Sequence, residues 1–230
     1  MSLKVPPDSR LEIKFACYEV HQSLLTGWLE KHWAGFNVPY PDRRINNVYF
    51  DTYNYDGFLQ NLSGASSRTK VRYRWYGYSP EPSSGTLEVK CKRNYFGWKL
   101  RYPCPEFSVD KRDDWLKIRR TLASQLSLEG RIWLDSHPAP IMINRYDRQY
   151  FVSADNNVRV TIDTNQAVWD QRSQASPNLD REANMPRTLV VEVKFSREER
   201  KLAENMLQGL PIRVSRHSKY INGVRAITGY

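Results

Sequence analysis

The segment TKVRYRWYG, residues 69–77, decides how the rest of the chain is read. With the two-residue period of a strand, Lys70, Arg72 and Arg74 share one face and Val71, Tyr73 and Trp75 the other. Successive cations on that face stand ~6.7 Å apart and repel one another unless something negative lies beside them. The flanking segments bear on whether that anion belongs to the protein or comes from outside it.

Downstream, the Pro/Ser/Gly-rich loop YSPEPSSG (78–85) leads into TLEVKCKRN (86–94), where Glu88, Lys90 and Lys92 alternate with Leu87, Val89 and Cys91. The two segments predict an antiparallel hairpin. The same alternation appears in RLEIKFA (10–16), with Glu12 and Lys14 opposite Ile13 and Phe15, and in TLVVEVKFS (188–196), with Glu192 and Lys194 opposite Val191, Val193 and Phe195. Residues 139–165 supply two more strands around an Asn-rich turn at 155–157, and in the second Arg159, Thr161 and Asp163 share a face. NNVYFDT, from Asn46, reads as a short strand, followed by a turn at 53–57 and a brief helical or irregular piece. Helical spacing over 19–33 puts Val20, Leu24, Leu25 and Trp28 on one side, and over 112–127 it lines up Trp115, Ile118, Leu122 and Leu126. Ser196 with Glu199 reads as a capping box opening a helix through Leu207. Residues 170–187 lack periodicity and are expected to form a mobile loop.

Six expected strands thus repeat one arrangement: a bulky apolar face backed by a face of mixed, mainly basic charge. Lys14, Lys70, Arg72, Arg74, Lys90, Lys92, Arg145, Arg159 and Lys194 carry the positive charge, and Glu12, Glu88, Asp163 and Glu192 the negative. A sheet with one solvated side is the plain alternative. Two features favour an interior instead: charged residues recur at the central positions, and Phe15, Tyr73, Trp75 and Phe195 form apolar faces suited to packing outward against helices. A closed antiparallel barrel of about eight strands with flanking helices, an α+β fold, leaves room for one modest ligand. A basic lumen needs an anion, and Arg forks with Lys ammoniums suit the oxygens of a phosphate chain. On that reading, loss of Arg72 or Arg74 relieves repulsion and leaves stability unchanged or raised. The chain as a whole agrees in sign: 230 residues carry 35 Lys and Arg against 25 Asp and Glu, a formal charge of +10, which calls for an anionic partner.

At this point the residues resemble a known family, the triphosphate tunnel metalloenzymes of the CYTH-like superfamily. Within them the chain resembles the catalytic domain of the vacuolar transporter chaperone (VTC) type, which makes inorganic polyphosphate. The pieces are RLEIKF, VYFDT, RTKVRYRWYG, LEVKCKR, NRYDRQYF, VRVTIDT, LVVEVKFS and SRHSKYINGV, in family order from residue 10 to 224. The resemblance implies a single tunnel domain over residues 1–230, with ATP as phosphoryl donor and a growing polyphosphate in the bore. It also implies a phosphate-binding, catalytic set of Lys14, Arg72, Arg74, Lys90, Arg145 and Lys219, with Arg159 and Lys194 facing the tunnel; Lys70 and Lys92, on the same charged strand faces, join these two as further expected substrate contacts. Glu192 is implied as the principal ligand of Mn²⁺ or Mg²⁺, with Glu12 as the second candidate. Tunnel triphosphatases typically open on Glu-x-Glu-x-Lys, whereas this chain reads Arg10-Leu11-Glu12-Ile13-Lys14, a departure that agrees with the polymerase branch.

Hydrolysis of tripolyphosphate or a nucleoside triphosphate, and a non-catalytic polyphosphate or nucleotide sensor, use the same tunnel and remain open. Nucleic acid is disfavoured, because carboxylates among the cations repel its backbone. His21, His32, His137 and His217 lack metal-ligand spacing, and His217 stands out only by adjoining Ser218 and Lys219. Lys111–Arg120, interrupted by Asp113 and Asp114, reads as a solvated helix face. Cys17, Cys91 and Cys104 form no disulfide framework, no apolar run reaches the ~20 residues of a membrane span, and MSLKVPPDSR lacks a signal-peptide core. The expectation is a soluble, cytoplasmic, bacterial-type stand-alone domain.

Overall fold

Period-two alternation becomes a single eight-stranded antiparallel sheet in the computed structural model, which describes residues 5–7, 9–82, 84–107, 110, 112–215 and 217–229. Lys111 and Arg216, which fall within segments singled out above, lie outside the described residues. The strands are β1 (Leu11–Tyr18), β2 (Arg43–Asp51), β3 (Ser67–Tyr76), β4 (Gly85–Arg93), β5 (Phe96–Cys104), β6 (Ala139–Val152), β7 (Arg159–Asp170) and β8 (Thr188–Phe195), in the order β1-β8-β7-β6-β2-β3-β4-β5. The sheet curls until its edges approach. A single backbone bridge joins Arg10 to Gly97, and the Lys90 ammonium of β4 lies 3.7 Å from Glu12 of β1. The expected eight-stranded barrel is therefore closed by one bridge and side-chain contacts rather than by a full ladder.

The apolar faces point outward, as the bulk of their side chains implies. On one flank Val48, Val71, Tyr73, Trp75, Val89 and Ile143 pack under α3 (Trp115–Gln125) and α4 (Leu128–Asp135), through Trp115, Ile118, Leu122 and Leu134. On the other, Phe15, Val160, Ile162, Val191, Val193 and Phe195 pack under α1 (Gln22–Glu30) and α5 (Arg200–Met206). Each fully buried aliphatic side chain on these faces contributes about 1.5–3 kcal/mol. The alternation thus leaves the charged positions to line the concave side.

One helix lies inside. α6 (Lys219–Thr228) packs against the concave face, so closely that a Cβ on Gly223 would collide with the Met142 thioether. Tyr220 stacks on Tyr49 of β2, ring centroids 5.0 Å apart, and its hydroxyl donates to Asp51 Oδ2 at 2.5 Å. Asp51 also accepts from the backbone N–H groups of Gly57 and Phe58 in α2 (Asp56–Leu62). This tie fixes α6 across one end of the bore, with Lys219 on its first turn.

Several expectations change. α1 buries Leu25 and Leu29, while Val20 and Leu24 face solvent, because the helix begins at Gln22 and its inner stripe follows the i, i+4 pair. The Ser196–Glu199 capping box does not form: α5 starts at Arg200 with Glu199 as a cap whose side chain makes no capping bond. Residues 171–187 are irregular but pinned, through Gln171 to Asn178, Ala183 to Val168 and a bridge between Trp169 and Glu182. β5, α4 and α6 are additions to the sequence reading.

Candidate functional site

Ladder register brings the charged positions into two walls. In the first, β3 and β4 pair Arg72 with Glu88 and Lys70 with Lys90, and β5 sets Arg101 opposite Glu88 and Lys99 opposite Lys90. Glu88 accepts from Arg72 Nε at 2.9 Å and Nη2 at 2.5 Å, and Arg74, Lys99 and Arg101 stand 3.8, 3.5 and 3.7 Å from it. Arg74 donates to Asn47 Oδ1 (2.9 Å) and to the Tyr146 hydroxyl (2.8 Å), and Arg72 to the Tyr49 hydroxyl (3.1 Å). One carboxylate is thus shared among four cations. The Arg72 guanidinium is the main partner of a buried carboxylate, so its loss is now expected to lower stability rather than leave it intact.

The second wall interleaves both signs. Lys14 lies opposite Glu192, Glu12 opposite Lys194, and Thr161 opposite Glu192. The Lys14 ammonium sits 2.8 Å from both Glu12 and Glu192, and Lys194 2.8 Å from Glu192. Arg148 of β6 forms a two-pronged pair with Asp163 of β7 at 2.5 and 2.7 Å and approaches Glu192 at 3.6 Å. Lys219 pairs with Asp163, stands 3.9 Å from Glu192 and lies 4.6 Å from the centre of the Tyr146 ring.

Burial and crowding set the proton affinities. Desolvation opposes the charge of every carboxylate, yet Arg72 and Arg74 hold Glu88, Lys90 and Lys14 hold Glu12, Lys14 and Lys194 hold Glu192, and Arg148 and Lys219 hold Asp163 below the usual carboxylate range. Lys14 is pushed above the ordinary lysine value, against burial, by Glu192 and Glu12. The lysines between the walls go the other way. Burial, then Lys90 and Lys14, depress Lys70 strongly; burial, then Arg72, depress Lys99; burial, then Arg68, depress Lys92. Glu12 pulls Lys90 upward, but burial and Lys14 outweigh it and leave Lys90 at about 8. The bore therefore holds more positive charge than its own carboxylates neutralise.

Of the site residues expected from sequence, Lys14, Lys70, Arg72, Arg74, Lys90, Lys92, Lys194, Lys219, Glu12 and Glu192 converge on the bore. Arg159 occupies the bore-side register opposite Lys194 but is exposed at the start of β7. Arg145 is corrected: it lies on the outer face, its guanidinium 4.9 Å from the centre of the Trp169 ring. Its neighbour Tyr146 faces inward, so the inward basic residue of NRYDRQYF is Arg148. Sequence reading also missed Lys99 and Arg101, although FGWKLRYPC alternates as plainly as the strands that were recognised. A bulge at Asn165, with φ of 51°, reverses the parity of β7, so that Asp163 and then Val168 face inward.

Among the described residues no three His, Cys, Asp or Glu side chains gather into a metal-binding group. Glu12 and Glu192, joined through the Lys14 ammonium, offer hard oxygen donors from adjacent strands. Oxygen donors of this kind are the type Mg²⁺ takes, its remaining oxygens coming from phosphate and water.

A curled antiparallel sheet with a charged, cation-rich interior and outward apolar faces defines a tunnel-like α+β fold. The VTC domain family matches residues 8–228, and the chain belongs to that family. In fold it is similar to a Hippeastrum protein provisionally assigned as an adenylyl cyclase and described as having a dominant triphosphatase activity, at 15% identity and a TM-score of 0.54 over 96% of each chain. A Vibrio parahaemolyticus protein provisionally assigned as an adenylate cyclase gives 11% identity and a TM-score of 0.49 over 94% of this chain and 98% of that one. No curated protein matches the chain by sequence. Among the described residues no helix is long and apolar enough to cross a membrane.

Proposed function

We propose that this chain is a polyphosphate polymerase that transfers the γ-phosphoryl group of ATP onto the end of an inorganic polyphosphate chain. The observation that carries the reading is the surplus of cations facing one bore in a VTC-domain chain: Arg72, Arg74 and Lys99 crowd on Glu88, Lys90 approaches Glu12, and Lys70 bonds to the Ser218 hydroxyl. Phosphoryl transfer through a loose transition state asks mainly for positioning and charge neutralisation. Arg72 and Arg74, oriented by Glu88, Asn47 and Tyr146, hold non-bridging oxygens in line. Lys14, Lys219 and Arg148 hold the neighbouring phosphate across the bore. Mn²⁺ or Mg²⁺ bound at Glu192 and Glu12 would supply further neutralisation of phosphate charge.

Incubation with ATP and Mn²⁺, resolving long-chain polyphosphate from orthophosphate, tests the reading. Long chains are the expected product. Orthophosphate alone selects the hydrolase, a reading to which the triphosphatase activity of the Hippeastrum protein lends weight. Neither product, with a tripolyphosphate-induced rise in melting temperature, selects a sensor.

A further inference from the structure

The segment that leads into α6 enters the bore between two anchors. Val214 bridges Phe15, the Ser215 N–H donates to the Lys14 carbonyl at 3.0 Å, and Ser218 accepts from the Lys70 ammonium at 2.9 Å. His217 lies between them. Both of its ring nitrogens are sealed from solvent, and neither has a hydrogen-bond partner among the described residues.

The groups acting on that ring are those of the second wall. Burial, then Lys219 and Lys14, hold the imidazole down to about 3, with Glu192 and Asp163 opposing weakly, so the ring is neutral at physiological pH. A neutral imidazole carries one N–H and one lone pair. No acceptor among the described residues, the Glu192 and Asp163 carboxylates included, forms a hydrogen bond with the ring, and a buried donor left unpaired is destabilising. A second orphan lies on the same wall: Thr161 Oγ1, buried and without a partner among the described residues, sits opposite Glu192 in the β7–β8 ladder. Two unsatisfied polar groups that can donate call for a ligand that brings oxygen acceptors. His217 joins no metal-binding group among the described residues, and the cations that act on its ring, Lys219 and Lys14, suit phosphate oxygens as the acceptor.

We infer that His217 is a further substrate-contacting residue of the bore, its ring N–H donating to a non-bridging oxygen of the phosphate held between Lys14 and Lys219. A neutral donor adds a hydrogen bond to the phosphate without adding another charge to the crowded cations. This assignment rests on the proposed phosphate-chain function.

The test compares wild type, His217→Phe and His217→Gln for binding of inorganic tripolyphosphate without metal, by calorimetry, alongside the melting temperature of the free proteins. Phe keeps a ring and removes both nitrogens; Gln restores a donor. The expected result is an unchanged or raised free melting temperature for His217→Phe, affinity weakened about tenfold or more, and partial recovery in His217→Gln. Wild-type affinity in His217→Phe overturns the inference and leaves the proposed function standing. A lowered free melting temperature in both variants, with affinity falling in step, assigns the ring a structural role and also overturns it. Absence of tripolyphosphate binding by wild type overturns the proposed function and this inference together. Should His217→Phe fail to fold, the ring ¹⁵N–¹H signal of wild type, assigned against His217→Gln, decides: it shifts on tripolyphosphate addition, and an unmoved signal rejects the contact.

Discussion

The two walls of the bore hold similar residues in different balance. On β3, β4 and β5 a single carboxylate, Glu88, is spread over Arg72, Arg74, Lys99 and Arg101. On β1, β6, β7 and β8 three carboxylates, Glu12, Glu192 and Asp163, are woven among Lys14, Lys194 and Arg148, with Lys219 of α6. The first wall is left with net positive charge for a ligand to satisfy, and two of its cations are planar guanidinium forks already aimed by neutral partners. The second is closer to neutral and is built mainly of lysines around oxygen donors. An anion is expected to seat on the first wall, while the second positions it.

The sharpest way to break this comparison is Arg72→Ala. Tripolyphosphate binding and ATP turnover should fall by orders of magnitude, and stability should fall by about 3 kcal/mol because Glu88 loses its closest partner inside the protein. Denaturant unfolding together with calorimetry reads both effects. Unchanged stability would show that Arg74, Lys99 and Arg101 suffice to hold Glu88.

Glu192→Gln probes the opposite wall and should act in the opposite sense. Tripolyphosphate affinity should hold or tighten, since a negative charge leaves the bore, while the Mn²⁺ dependence of ATP turnover disappears. Metal dependence that survives moves the ligand assignment to Glu12 or Glu88.

Lys90 connects the walls, and its protonation gives the comparison a pH axis. Its folded value of about 8 lies below the usual 10.5, so between those values the folded chain has released a proton that the unfolded chain keeps. Stability of the ligand-free protein therefore gains from Lys90 as pH rises from 8 to 10.5. Tripolyphosphate favours the protonated ammonium, and its affinity should drop as pH climbs through 8. Lys90→Gln should flatten both trends; slopes identical to wild type place the titration on Lys70, Lys92 or Lys99. At the acid end the slope has the same sign, stability again rising with pH. Glu12, Glu88, Asp163 and Glu192 all have depressed folded values, so their contribution is complete above the ordinary carboxylate range and is lost as pH falls below it.

The smallest effect is expected at Arg145. Arg145→Gln should leave tripolyphosphate affinity within about twofold of wild type, since the guanidinium rests on Trp169 outside the bore. Arg148→Gln, three positions along β6, should weaken binding clearly because it frees Asp163 and disturbs Glu192. Equal losses in the two variants would contradict the inward and outward assignment.

The sequence by itself determined which strands carry charge on one face and bulk on the other, because side chains alternate strictly along an extended chain and Lys70, Arg72 and Arg74 cannot share a face with Val71, Tyr73 and Trp75. From that alone came the inside-charged, outside-apolar barrel and most of the residues lining it. Only the tertiary structure decided which charges meet. Arg72 finds Glu88 because β3 and β4 pair in that register, and Lys14 joins Glu12 to Glu192 because β1 lies beside β8, 178 residues away in sequence. The inward place of Arg148 rather than Arg145 was legible only once Tyr146 was seen bonded to Arg74 across β2, since basic residues stand on both parities of NRYDRQYF. Lys219 and His217 reach the bore because Asp51 and Tyr220 tie α6 across its end, a contact spanning 169 residues that no local periodicity encodes.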